Sequence, residues 1–204
     1  MNCEITHILF DLGRVLINLP GPPPLRDEWL PQALSVEEKW RRWGECPVVI
    51  AYESGKISAE EFIDGMLAYF NLSVGGAQFR EAFVDWPAGF LPGAQDLLRQ
   101  LKPRYTLAFY SNTSDLHLPR FMNTIGLAQY FDFAFASYEI GHYKPDPEGF
   151  RIVQQRMAVA NEHILFIDDM PANVASAVSV GMHAEQALGV DQVKQVLRRY
   201  ACID

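Results

Sequence analysis

The chain has 204 residues, 49% of them hydrophobic and 21% charged, with a formal net charge of −8. That balance suits one globular domain, or a core domain with a modest insertion, and excludes disorder. The few Lys and Arg never gather into a stripe, which argues against nucleic-acid binding, and no apolar run is long enough to cross a bilayer.

In chain order, the first element is the short apolar run "THILF" (6–10), which leads straight into Asp11, Gly13 and Arg14. The "LPGPPP" stretch then forbids a continuing strand or helix. After it the pattern turns helical. Ser35 with Glu38, and Ser58 with Glu61, fit the capping box that opens a helix. Phe62, Ile63, Met66, Leu67 and Phe70 keep helical period. Residues 20–88 therefore read as a helical insertion between the first strand and a core formed by 1–19 and 89–204. Its aromatics Trp29, Trp40, Trp43, Tyr52 and Trp86 read mainly as core.

Beyond the insertion, a helix over 93–102 carries Leu97, Leu98 and Leu101 and stops at Pro103. Strands follow at "YTLAFYS" (105–111), "FDFAFAS" (131–137) and "HILFID" (163–168). Their nearly continuous apolar character predicts strands covered on both faces. A helix over 171–180 opens on Pro171 and closes at Gly181, and another spans 191–200. Strands alternating with helices predict an α/β fold with a parallel sheet flanked by helices. The cysteines Cys3, Cys46 and Cys202 show no paired spacing and read as reduced thiols. The N-terminus lacks the features of a secretory leader, so a cytoplasmic protein is expected.

Four features sit where strands end, the usual ligand side of an open α/β sheet. They are Asp11, the Ser111-Asn112-Thr113 triplet, Lys144 before Pro145 at a helix start, and the pair Asp168-Asp169. Singly, each has an ordinary reading as a cap, a turn or a solvated loop. Together they supply an acidic nucleophile, a hydroxyl with its following amides, a lysine and a diacid.

In that order, "FDLGRVL", "YSNTS", "HYKPDPEGF" and "FIDDMPANV" resemble the four motifs of the haloacid dehalogenase (HAD) superfamily, over essentially the whole chain. The "FDLG" start, the "ESGKISAEEF" segment and the "DDMPAN" tail look most like bacterial sugar-phosphate phosphatases of the alpha-D-glucose-1-phosphate phosphatase type. The resemblance implies a Rossmann-like core with a small helical cap at 20–88. It also implies Mg²⁺-dependent hydrolysis of a small phosphorylated metabolite, by a monomer or homodimer. Asp11 would attack phosphorus to form an aspartyl-phosphate. Mg²⁺ would be held by Asp11, the Gly13 carbonyl and Asp169, with Asp168 binding the ion or orienting one of its waters. Ser111 and the Asn112 amide would hold the phosphate, Lys144 would offset its charge, and Asn173 would support the diacid.

Many members of the superfamily carry a second Asp two residues after the nucleophile, where this chain has Gly13. Glycine cannot protonate a leaving alcohol, so a cap residue or a water would do so. His117, His142 and Glu53 are candidates by residue type. Leaving groups that need little protonation, as in anomeric sugar phosphates and aryl phosphates, should then be preferred. Arg14 stands where Gly or Asn is usual and reads as a surface side chain snorkelling over apolar neighbours. A metal-independent 2-haloacid dehalogenase and a catalytically weak binding protein of the same fold are the alternatives.

Overall fold

The computed structural model describes residues 4–204. Cys3 lies outside them. Five parallel strands form the sheet, in the order β5-β4-β1-β6-β7. They are β1 (His7–Phe10), β4 (Thr106–Ser111), β5 (Phe133–Ala136), β6 (Ile164–Asp168) and β7 (His183–Gln186), with β2 and β3 lying outside the sheet. Side chains alternate across β1: Ile8 and Phe10 pack on one face with α5 (Ala94–Leu101) and α9 (Gly189–Arg199). Leu9 packs on the other face with α7 (Pro147–Met157) and α8 (Pro171–Ser179). Burying a side chain such as Phe10, Phe109 or Phe166 contributes about 1.5–3 kcal/mol, so the two apolar layers hold the sheet from both sides.

The strands differ from the sequence expectation at the edges. β7 has the sequence HAEQ, half-exposed and without an apolar run, and its pairing to β6 is what makes it a strand. β5 is trimmed to four residues because Asp132 turns to accept a hydrogen bond from the Leu107 amide. Lys144 does not open a helix. The helix begins at Pro147, with the Asp146 side chain accepting from the Glu148 amide, and Lys144 lies in the turn before it.

The helices between β1 and α5 form a body with its own core. α1 (Val36–Glu45), α2 (Pro47–Glu53), α3 (Ala59–Phe70) and α4 (Gly76–Asp85) bury Trp29, Trp43, Tyr52, Phe62, Phe79 and Phe83 against one another. Ser58 and Glu61 complete a reciprocal capping box at the start of α3, and Ser35 caps α1. The chain enters and leaves this body at one place. There β2 (Ile17–Asn18) pairs antiparallel with β3 (Gly89–Phe90), and the Ala88 amide donates to the Asn18 carbonyl.

Candidate active site

The site is built on the carboxyl ends of β1, β4 and β6. Phe10 pairs in register with Phe109 on one side and Ile167 on the other, so Asp11, Ser111 and Asp168 all emerge at the same rim. The Asp11 amide donates to the Ile167 carbonyl at 2.8 Å, which extends the ladder to the working residue. Asp11, Gly13, Ser111, Asn112, Lys144, Asp168, Asp169 and Asn173 line one cavity of about 170 Å³. The candidates predicted from separate motifs are thus brought together.

Lys144 is the hub. Its ammonium donates to Asp11 Oδ1 at 2.7 Å, to Asp168 Oδ2 at 2.7 Å and to the Tyr110 carbonyl at 2.8 Å. The Asn112 side chain fixes Lys144 by accepting from its amide and donating to its carbonyl. That side chain is therefore engaged in the scaffold. Asp168 is fully buried, and its oxygens accept from Lys144, from Asn173 Nδ2 and from the Met170 amide. Asn173 is thus the partner of the diacid, and Asp168 anchors Lys144 with no oxygen left open. The accessible member of the pair is Asp169, which meets Arg14 at 3.0 Å.

Burial pushes the Asp11 carboxyl up, to about 7, against the pull of Lys144. Burial would lower Lys144, but Asp11 and Asp168 outweigh it and hold the ammonium charged. A fixed cation 2.7 Å away favours ionised Asp11, the nucleophilic form. Asp169 is also raised, first by burial and then by Asp168.

The wall formed by the helical body corrects one expectation. Arg14 is no bystander at the surface: besides Asp169 it sits 5.3 Å from the Trp40 ring centre, joining the β1 loop to α1. Trp29, Trp43 and Tyr52 are core, as expected for most of the five, while Trp40 and Trp86, with one side of Trp43, line the cavity. Of the acid–base candidates, His117 is buried with Nε2 donating to the Phe83 carbonyl, and His142 bonds Asp146; neither lines the cavity. Glu53 does, as does Tyr143, which the sequence offered no signal to find.

Residues 7–181 match the family of haloacid dehalogenase-like hydrolases. The chain belongs to that family. It is 22% identical to the D-ribitol-5-phosphate phosphatase of Bacteroides thetaiotaomicron, covering 89% of this chain and 91% of that one. It is 27% identical to drimenol cyclase drtB of Aspergillus calidoustus over 95% of its own length, but spans 36% of that larger protein. A HAD family enzyme of Bacteroides thetaiotaomicron, solved with magnesium and inorganic phosphate, superposes with a TM-score of 0.75 at 25% identity. That match covers 94% of this chain and 99% of the other.

The residues present suit a hard dication. Four carboxyl groups line the cavity, from Asp11, Glu53, Asp168 and Asp169, against only two cations, Arg14 and Lys144. Among the described residues no three His, Cys, Asp or Glu side chains form a ready-made cage. Mg²⁺ needs none, since it commonly takes one or two carboxylates and fills its octahedron with waters and substrate phosphate.

Proposed function

We propose that this hydrolase is a phosphomonoesterase of small phosphorylated metabolites, working through an aspartyl-phosphate on Asp11 with Mg²⁺ as cofactor. The observation that carries the reading is the Lys144 ammonium spanning Asp11 and Asp168 at 2.7 Å on the floor of the cavity. Such an arrangement favours the ionised nucleophile and holds it aimed, but one ammonium between two carboxylates leaves net negative charge that an incoming phosphate must have offset. Mg²⁺, held by Asp11, Asp169 and the Gly13 carbonyl, would supply the charge that lets two anions approach. Asp11 attacks phosphorus in line with the ester oxygen. Ser111 and the Asn112 amide hold the phosphoryl oxygens, and Lys144 balances them. The helical body over 20–88 serves as a cap, and Trp40, Trp43 and Trp86 pack on the organic part of the ester.

The phosphatase among the relatives supports this reading. The excess of carboxyl groups weighs against the metal-independent dehalogenase, which has no use for clustered negative charge. Loss of catalysis would be hard to reconcile with a complete Asp11–Lys144–Asp168–Asn173 network. Turnover of p-nitrophenyl phosphate with and without EDTA, beside D11N, tests the proposal. Chelator-sensitive hydrolysis absent from D11N is expected. Halide release from a 2-haloacid in EDTA, or hydrolysis retained by D11N, overturns it.

A further inference from the structure

Gly13 offers no side chain to the reaction. A Cβ there would lie 2.9 Å from the tip of the Leu19 side chain and 4.0 Å from Asp11 Oδ2, so Leu19 packs beside the backbone next to the nucleophile. Whatever protonates the leaving oxygen must come from elsewhere in the cavity wall.

Glu53, the last residue of α2, is delivered there by a docked turn. Gly55 has φ +69°, and a Cβ on it would stand 2.3 Å from the Tyr138 carbonyl oxygen, so the cap backbone rests directly on α6 (Ser137–Ile140). The Ser137 hydroxyl donates to the Glu53 carbonyl at 2.5 Å and accepts from the Thr113 amide at 3.0 Å. Tyr52 donates to Asp115 at 2.5 Å. These three contacts tie Glu53 to the segments that follow β4 and β5, next to Ser111 at the end of β4 and ahead of Lys144.

The Glu53 side chain is only 7% exposed and lines the cavity with Asp11 and Ser111. Among the described residues its carboxyl has no hydrogen-bond or ion-pair partner, so its oxygens are uncommitted. The groups around it are Asp11 from β1, Lys144 and the Tyr143 phenol from the turn before α7, and the Arg14–Asp169 pair. Burial, with the Asp11 charge second, pushes the Glu53 carboxyl up to about 8 against Lys144.

We propose that Glu53 is the general acid and base of the reaction, donating from the cap in place of the carboxylate that Gly13 lacks. The assignment rests on the phosphomonoesterase reading and extends it. In the first half-reaction the Asp11–phosphorus bond forms, the ester P–O bond breaks, and the Glu53 proton passes to the departing oxygen. In the second, the Glu53 carboxylate takes a proton from water. The water oxygen bonds to phosphorus as the Asp11–phosphorus bond breaks. Alcohol and phosphate leave, and Glu53 is protonated again.

The test is single-turnover and steady-state kinetics of E53Q on two esters. p-Nitrophenyl phosphate has a leaving group that departs unprotonated, whereas glycerol 3-phosphate has one that cannot. E53Q should keep its first-turnover nitrophenol release within a few-fold of wild type. It should lose about 10²-fold or more on the alkyl ester and in steady-state turnover of both. First-turnover losses equal for the two esters, or no loss, overturn the role of Glu53 while leaving the phosphatase intact. Wild-type protein inactive on both esters overturns the phosphatase reading and this inference with it. If E53Q does not fold, E53M carries the same comparison, since it keeps the volume without the acid.

Discussion

Arg14 meets Asp169 at 3.0 Å, and so offsets the accessible carboxylate of the diacid. It does so from a left-handed backbone, φ 61°, which turns the side chain back over the rim towards Trp40. A guanidinium on Asp169 competes electrostatically with any dication there. R14A should therefore bind Mg²⁺ several-fold more tightly by isothermal titration. Unchanged or weaker binding would show that Arg14 and the metal do not share Asp169.

Lys144 is the next point of leverage, being 2% exposed and paired to two carboxylates. Removing one partner of a buried ion pair leaves charge uncompensated, an effect of about 3–5 kcal/mol. K144M should lose stability on that scale in urea melts and lose phosphatase turnover as well. A double variant K144M/D168N should recover part of the stability, because it removes one of the stranded carboxylates, yet remain inactive. Equal stability of the single and double variants would mean that Asp168 is not the charge Lys144 offsets.

The central strands were legible because β1, β4 and β6 are covered on both faces, and their apolar runs say so. β7 was not, because an edge strand with a half-exposed face has no such run. The site followed the same logic. Asp11, Ser111, Asp168 and Asp169 could be placed because each ends a recognisable strand. The clamp of Asn112 on Lys144 joins residues 32 positions apart and depends on a turn that no local pattern dictates. Tyr143 gave no signal, and nothing in the sequence singled out Glu53 from His117 and His142 or placed Arg14 against the indoles, for a further reason. Their positions depend on how the helical body docks on the sheet, and that is set by close approaches such as Gly55 on Tyr138.

Gly55 itself offers a test of that docking. An alanine there must adopt a left-handed conformation, which costs about 1–3 kcal/mol, and its methyl group would press on the Tyr138 carbonyl. G55A should lower the melting temperature and push the cap outward, raising KM for p-nitrophenyl phosphate more than it lowers kcat in the first turnover. Wild-type stability and kinetics in G55A would mean that the turn can yield at the Tyr138 carbonyl.

His117 makes the same junction sensitive to acid. Its ring lies 4.1 Å from the Phe83 ring centre, and its Nε2 proton goes to the Phe83 carbonyl, so it joins the loop after β4 to α4. Burial holds it neutral and lowers its pKa from 6.5 to about 4. Between those values the unfolded chain binds a proton that the folded chain refuses. Stability is therefore full above about 6.5 and lost as the pH falls towards 4, by up to about 3 kcal/mol. H117N, which keeps a donor without the titration, should flatten urea-melt stability across that window. A wild-type profile that stays level from pH 6.5 to 4, or an H117N profile just as steep, would place the acid sensitivity elsewhere.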